Sequence, residues 1–159
     1  MRALGDAVAV ALLERKGFSA ADFQVFHPGG QLGRRLLRVS DLMHSGPSMP
    51  LIAETLLMGQ AILEMTGKSL GCVGVVNAEG GLMGIITDGD LRRHLDDGLL
   101  ARPARDIMTR APKTIRPNLL AAEALRILND NTITSLFVVE AGRPVGVLHV
   151  HDVLRAGVA

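Results

Sequence analysis

The chain has 159 residues, 48% of them hydrophobic, with four Phe and neither Trp nor Tyr. Its 17 basic and 16 acidic residues leave a net charge of +1, which excludes the basic footprint typical of nucleic-acid-binding proteins. The single cysteine, Cys72, excludes an internal disulfide, and no apolar run approaches the roughly 20 residues that cross a bilayer. We therefore expect a cytoplasmic protein with neither nucleic acid nor membrane as a partner.

Residues 1–40 precede the repetitive part of the chain. The segment "ALGDAVAVALLERKGF" has the apolar spacing of an amphipathic helix that ends at Gly17. The next segment, "SAADFQVFHPGG", predicts a short helix that begins after Ser19 and stops at Pro28.

The remainder of the chain is an internal duplication. Four segments recur in the same order: "SDLMH" (40–44) as "RDIMT" (105–109), "LLMGQAILEM" (56–65) as "LLAAEALRIL" (119–128), "LGCVGVVN" (70–77) as "ITSLFVVE" (133–140), and "GIITDGDL" (84–91) as "GVLHVHDV" (146–153). One such pair would be an easy coincidence, but several in one order indicate two copies of a structural unit.

Each copy is predicted to form a β-α-β-β-α unit. A short strand near Ile52 or Ile115 leads into a helix, two apolar strands follow around a glycine-containing turn, and a last helix begins at or after Asp90 or Asp152. A copy of roughly 50 residues is too small to bury a robust core alone. The prediction is therefore an α+β fold in which the two copies pack as a pseudo-twofold pair.

The first helix of each copy is predicted to begin at a polar cap. Thr55 and Asn118 carry side-chain oxygens that can accept from the free N–H groups of a first helical turn. The apolar stripes are then expected to hold Leu57, Ala61, Ile62 and Met65 in one copy and Leu120, Ala124, Leu125 and Leu128 in the other.

Two copies of a unit that ends in G-h-h-T-x-x-D (h, apolar) resemble the paired cystathionine-β-synthase-type (CBS) repeats of a Bateman module. The segments "ALGDAVAVALLERKGFSAADFQVFHPGGQLGRRLLRVSDLMH", "TDGDLRR" and "LHVHDVLRAGV" resemble bacterial arabinose-5-phosphate isomerases. The resemblance implies that residues 1–40 are the last helices and linker of an absent sugar isomerase domain, that 41–98 are CBS repeat 1, and that 99–159 are CBS repeat 2. It implies a C-terminal fragment that is not itself an enzyme.

In a Bateman module the strand ends face a cleft between the repeats, and this environment suits a nucleotide. The resemblance implies that Asp90 binds ribose hydroxyl groups, that Thr87 binds ribose or phosphate, and that Arg92 neutralises a phosphate. In the second repeat Asp152 keeps the carboxylate, whereas His149 stands in place of the threonine and departs from the general pattern.

Thr134 and Ser135, which precede the middle strand of the second repeat, are expected to reach the same cleft. A simpler interpretation needs no ligand. Asp90 and Asp152 are also good helix caps, and Thr87 can satisfy a backbone group at the strand end.

The histidines do not predict a metal site. "HVHD" places His149, His151 and Asp152 close together, and both rings would share a face if the strand ran through residues 149–151. No third and fourth ligands follow at helical spacing, and His44 and His94 are isolated in the sequence. A hydrogen bond from His149 to an acid or hydroxyl group of a ligand is favoured.

His27 resembles the active-site histidine of the isomerase family. In the parent enzyme the resemblance implies a role in opening the sugar ring or moving a proton, and a group with a pKa near 6.5 suits that task. In the fragment His27 is expected to be exposed and inactive.

Two functions are expected from the resemblance. The first is regulation of an isomerase that converts ribulose 5-phosphate to arabinose 5-phosphate for the synthesis of 3-deoxy-manno-octulosonate (Kdo) and lipopolysaccharide. Its effector would be a nucleotide sugar such as CMP-Kdo, or an adenine nucleotide, with no other cofactor required. The alternative is a ligand-free assembly module that forms a homodimer within a homotetrameric parent, through the apolar side chains of Leu91, Leu95, Val153 and Leu154.

Overall fold

The computed structural model describes Arg34 and residues 36–158. The helices predicted within residues 1–33, and His27 with them, lie outside the described residues. The strands are β1 (Leu51–Ala53), β2 (Cys72–Val76), β3 (Leu82–Thr87), β4 (Thr109–Arg110), β5 (Thr114–Ile115), β6 (Ser135–Glu140) and β7 (Arg143–His149). The α-helices of residues 36–158 are α1 (Met58–Lys68), α2 (Asp88–Arg93), α3 (Ala104–Ile107), α4 (Ala121–Asp130) and α5 (Val150–Arg155). Short 3-10 helices lie at Val39–Asp41, Gly46–Ser48 and Leu99–Ala101.

The predicted duplication and α+β fold are confirmed. The first repeat runs β1-α1-β2-β3-α2 and the second runs β5-α4-β6-β7-α5. In each repeat the first strand pairs in parallel with the middle strand, and the middle strand pairs antiparallel with the last. The result is a sheet with the order β1-β2-β3-β4 and a second sheet with the order β5-β6-β7.

The antiparallel hairpins arise from the glycine-containing turns. Between β2 and β3 the Asn77 side chain accepts a hydrogen bond from the N–H of Gly81 at 2.7 Å. Between β6 and β7, Ala141 and Gly142 have φ values of 47° and 79°. Two successive residues with positive φ give the turn a twist that matches its flanking strands.

The helix caps predicted at Thr55 and Asn118 are wrong. Helices α1 and α4 begin further along the chain, after Leu57 and Leu120, and neither N-cap side chain makes a capping hydrogen bond. The predicted stripes hold apart from their first members. Ala61, Met65, Ala124 and Leu128 are buried and Ile62 and Leu125 pack on the cores, whereas Leu57 and Leu120 are exposed, at 46% and 38%, and burial starts at the next residue.

Backbone carbonyl groups from distant parts of the chain replace the expected side-chain caps. The N–H of Met58 donates to the carbonyl of Arg102 at 2.9 Å, and the N–H of Ala121 donates to the carbonyl of Leu37 at 2.8 Å. These contacts satisfy N–H groups that a helix leaves free at its first turn. Because the acceptors are remote in sequence, the local pattern around Thr55 and Asn118 does not reveal them.

Two short segments cross between the repeats, and we call residues 37–44 the first arm and residues 102–109 the second arm. The first arm precedes repeat 1 but packs on repeat 2: Val39 lies in the core of the second repeat, and His44 pairs with Val147 of β7. The second arm precedes repeat 2 but packs on repeat 1, where β4 pairs with β3.

Two glycines make room for the arms. Gly84 of β3 and Gly146 of β7 are equivalent positions, and a Cβ at either would overlap a methionine side chain, Met108 of the second arm or Met43 of the first. A larger residue at either glycine would therefore push away the arm that belongs to the other repeat.

A third apolar cluster joins the repeats. Leu70, Cys72, Phe137 and Val147 are buried together, separate from the core of each repeat. Phe137 of β6 fills the space in front of Gly74, where a Cβ would lie 2.7 Å from the ring. In the part of the chain that the structure describes, no helix has the length and hydropathy to cross a bilayer.

Candidate ligand-binding site

The predicted site residues lie where the last strand of each repeat runs into a short helix. Strand β3 ends at Thr87 and strand β7 at His149, and the helix begins at the following residue in both repeats. Asp90 and Asp152 therefore lie inside the first helical turn, and the residues at the N-cap are Thr87 and His149. The expectation that the helices begin at or after the aspartates is wrong by two residues.

In the first repeat Thr87 and Asp90 form a reciprocal capping box. The Asp90 N–H donates to Thr87 Oγ1 at 3.3 Å, while Asp90 Oδ2 accepts from the Thr87 N–H at 2.8 Å and from its hydroxyl at 2.6 Å. The threonine hydroxyl thus donates and accepts within the box.

The second oxygen of Asp90 is also engaged. Oδ1 accepts from the hydroxyl of Thr109 in the second arm at 2.9 Å and from the guanidinium of Arg93. Burial by itself would raise the pKa of Asp90, but the hydrogen bonds from Thr87, Thr109 and Arg93 outweigh it and lower the pKa below its ordinary value. Arg92, the predicted phosphate partner, is exposed.

The equivalent carboxylate of the second repeat, Asp152, accepts fewer hydrogen bonds than Asp90. Asp152 Oδ2 lies 2.8 Å from Nε2 of His44, and Oδ1 lies 3.4 Å from the exposed guanidinium of Arg155. The Asp152 side chain is 18% exposed, against 3% for Asp90. His44, which is isolated in the sequence, is therefore part of this cluster.

His149 caps α5 through its ring. Its Nδ1 accepts from the N–H of His151 at 3.2 Å, so the proton of the neutral ring sits on Nε2. The two rings meet edge to face, with centroids 4.8 Å apart, although the strand does not continue to residue 151. Burial, then the positive charge of His151, lowers the pKa of His149; His44 acts in the same direction and Asp152 opposes them.

Thr134 and Ser135 lie at the strand end next to His149. Ser135 is the cross-strand partner of His149, is buried, and donates to the carbonyl of Leu70 in the first repeat at 3.3 Å. Thr134 is exposed, and its carbonyl accepts from the N–H of Val150 at 2.9 Å. Ser135 therefore forms a hydrogen bond between the two repeats and also lies next to the candidate site.

Cys72 occupies the position of Ser135 in the first repeat. It pairs in register with Thr87, and burial raises the pKa of its thiol to about 11, with the hydrogen bond to Ser135 acting in the opposite direction and the charge of Asp88 adding to the rise. The thiol stays protonated at neutral pH and behaves as a small apolar group. Cys72 and Ser135 are in contact with each other. Because Cys72 pairs with Thr87 and Ser135 pairs with His149, the polar ends of β3 and β7 lie on either side of this contact between the repeats.

Two hollows in the surface are lined by other residues, although the first borders Asp88, which directly follows Thr87. One, of about 320 Å³, is lined by parts of α1 and α2 together with Gly71 and Asp88. The other, of about 410 Å³, lies at the far end of the second repeat, next to Arg116 and Glu140. None of the seven predicted ligand-binding residues lines either hollow, so the candidate site is a polar cluster at the strand ends.

The described residues hold no group of three or more His, Cys, Asp or Glu side chains arranged to bind a metal ion. His44, His149, His151 and Asp152 are joined instead by a hydrogen bond to the carboxylate, a backbone cap and an edge-to-face ring pair.

Sequence reasoning missed the contribution of the two arms to the site. Thr109 and His44 occupy the last position of the repeated segments "RDIMT" and "SDLMH", and each reaches the aspartate of the other repeat. The repetition of these segments was the available signal, because it placed a polar residue at one equivalent position in both copies.

The fold and the polar strand ends together define a module of paired repeats in which each half supplies an arm to the other. The chain belongs to the CBS domain family, whose profile matches residues 39–97 and 104–159.

The chain is 53% identical to the arabinose 5-phosphate isomerase KdsD of Pseudomonas aeruginosa over 98% of its own length and 49% of that protein's. It is 47% identical to KdsD of Escherichia coli K12, again over 98% of its own length and 48% of that protein's. The chain thus spans about half the length of the curated relatives that it matches.

Solved structures share the fold at lower identity. A crystal structure of CBSX2 in complex with AMP matches with a TM-score of 0.66 and 24% identity, over 76% of this chain and 95% of the other. This level of identity establishes the common fold and does not extend to individual residues.

Proposed function

We propose that the chain is the regulatory part of an arabinose-5-phosphate isomerase and that it binds a nucleotide effector between its repeats. The identity to KdsD over nearly the whole chain supports this assignment. The remaining half of those relatives would carry the conversion of ribulose 5-phosphate to arabinose 5-phosphate, with His27 contributing to it, and the product would feed Kdo and lipopolysaccharide synthesis.

One observation carries the proposal: the polar cluster at the end of β7 combines a partly exposed carboxylate with imidazole groups. A carboxylate can accept from two neighbouring hydroxyl groups of a sugar, and a ring N–H can donate to a phosphate or carboxylate. The crystal structure of CBSX2 contains AMP. The structure of the CBS domain of a bacterial CNNM/CorC family Mg²⁺ transporter contains ATP; it matches this chain with a TM-score of 0.66 and 20% identity, over 79% of this chain and 89% of the other.

The effector that best fits the cluster is a nucleotide with a second acidic group, such as CMP-Kdo. Asp152 would accept from its hydroxyl groups, His149 would donate to its phosphate or carboxylate, and Thr134 and Ser135 would line the approach. An adenine nucleotide is the simpler candidate, but it offers the histidines only phosphate.

Isothermal titration calorimetry of the chain with CMP-Kdo, CMP, AMP and ATP tests the proposal. We expect saturable binding of at least one of the four, with CMP-Kdo the tightest because its carboxylate adds a charge-assisted hydrogen bond. The absence of binding to all four at millimolar concentration would overturn the proposal.

Exposed leucines support a second candidate function, assembly without a ligand. Leu95 is 77% exposed and Leu154 is 47% exposed, and both lie at or just beyond the short terminal helices of their repeats. Val153, expected on the same face, is instead fully buried in its own repeat. If assembly is the function, light scattering will show a dimer without added nucleotide, and Leu95→Glu with Leu154→Glu will convert it to a monomer.

A further inference from the structure

The two strand ends use different side chains around equivalent aspartates. Threonines flank the first carboxylate and histidines flank the second, and the equivalent pairs are Thr87 with His149, Asp90 with Asp152, Arg93 with Arg155, and Thr109 with His44.

The first set is saturated by contacts within the protein. An ionised carboxylate has about four acceptor positions. Asp90 fills them with the Thr87 N–H, the Thr87 hydroxyl, the Thr109 hydroxyl and the Arg93 guanidinium. A ribose could bind Asp90 only by displacing these donors from a side chain that is 3% exposed.

The second set keeps free hydrogen-bonding capacity. Asp152 has one short contact, to His44, and one long contact, to Arg155, which leaves acceptor positions on a side chain that is 18% exposed. Within residues 36–158, Nε2 of His149 makes no hydrogen bond, and its proton is held there because Nδ1 accepts the N–H of His151.

We propose that each chain takes one effector molecule, at the second strand end alone, and that the first strand end is a closed structural copy of the site. This inference rests on the proposed function and specifies it. Asp152 accepts from ligand hydroxyl groups, and Nε2 of His149 donates to a ligand oxyanion.

His44 is a positioning residue for this site. Its Nε2 holds one carboxylate oxygen of Asp152 at 2.8 Å, and the pairing of His44 with Val147 fixes the imidazole beside β7. The first arm, which leads from residues 1–36 into repeat 1, thereby touches the ligand-binding carboxylate of repeat 2. The carboxylate proposed to bind the ligand is thus linked to the first arm through one hydrogen bond.

Calorimetry on a matched pair of variants tests the inference, with CMP-Kdo, CMP and AMP as probes. The wild-type chain should bind about one molecule per chain. Asp152→Asn should weaken binding by about 10-fold or more, the usual effect of losing a charged hydrogen-bond partner. Asp90→Asn should leave the dissociation constant within about twofold and lower only the melting temperature, because Asp90 serves the capping box.

A measurement without substitutions keeps the test decisive if a variant fails to fold. In NMR spectra of the wild-type chain, added nucleotide should shift the ring C–H signals of His149 and leave the methyl signal of Thr87 in place. Two molecules per chain, a large shift at Thr87, or equal affinity in Asp152→Asn and wild type would overturn this inference while leaving nucleotide binding intact. Absence of binding to every probe would overturn both proposals.

Discussion

At the scale of single residues, the two repeats differ in the side chain that caps the last helix: Thr87 in the first and His149 in the second. Thr87 caps α2 with a hydroxyl, which accepts a hydrogen bond at any pH. His149 caps α5 with Nδ1, which accepts only while that nitrogen carries no proton. The second repeat therefore has a cap that protonation can break.

This difference predicts a pH dependence of stability. The pKa of His149 in the folded chain lies below its ordinary value of 6.5, so the unfolded chain binds the proton more readily. The contribution of His149 to the free energy of unfolding is complete above its pKa in the unfolded chain. It is lost as the pH falls through its lower pKa in the folded chain. Urea unfolding at pH 7.5 and pH 5.5 measures the free energy of unfolding. Between these two pH values it should fall less in His149→Asn than in the wild type, because asparagine caps a helix without titrating.

The groups that face His149 set the size of this effect. After burial, His151 and His44 lower the pKa of His149 electrostatically, and Asp152 opposes them. An equal loss of stability in His149→Asn and wild type would show that the titrating group lies elsewhere.

At the scale of elements, strands β2 and β6 meet through unlike residues at equivalent positions. Gly74 and Phe137 occupy the same place in the two repeats, and the phenyl ring fills the space that the glycine leaves. Two phenylalanines would overlap there and two glycines would leave a void. The pair therefore favours contact between repeat 1 and repeat 2 over contact between two identical repeats.

Gly74→Ala should lower the free energy of unfolding by about 1–3 kcal/mol, the usual cost of overpacking a core. The added Cβ would lie 2.7 Å from Phe137 Cζ and 2.8 Å from a methyl group of Leu51. Combined with Phe137→Leu the two changes should cost less than their sum in urea denaturation, because the smaller side chain relieves the overlap. Gly67→Ala in α1 is the matched control: its Cβ meets no other atom, and we expect a gain of roughly 0.5–1 kcal/mol.

At the scale of the whole molecule, the crossed arms make the two repeats dependent on each other. Met108 of the second arm lies in the core of repeat 1, and Met43 of the first arm packs on the core of repeat 2. Neither repeat has its complete core without a segment that is contiguous in sequence with the other. The pair is therefore the smallest unit expected to fold.

Hydrogen–deuterium exchange can detect this crossing. Met43→Ala should accelerate exchange mainly in β6 and β7 of repeat 2, and Met108→Ala mainly in β2 and β3 of repeat 1. Met108 is buried, so its truncation should cost roughly 2 kcal/mol or more. Met43 is partly buried, so its truncation should cost less. Faster exchange in the repeat next to each methionine in sequence would contradict the crossed arrangement.

The amino-acid sequence by itself determined the duplication, the β-α-β-β-α order and the two hairpins. Apolar periodicity and turn residues act over a few positions, so they can be seen without the fold. It also identified Thr87 with Asp90 and His149 with Asp152 as equivalent polar strand ends, because the repeat aligned them.

Only the tertiary structure decided how the helices begin and which aspartate is free. The caps of α1 and α4 come from backbone carbonyls of the arms, and His44 reaches Asp152 across 108 positions of sequence. Thr109 likewise completes the saturation of Asp90 from the second arm. No short-range sequence pattern encodes such contacts, because each joins two segments that are distant in sequence. They come together only when each arm packs on the opposite repeat.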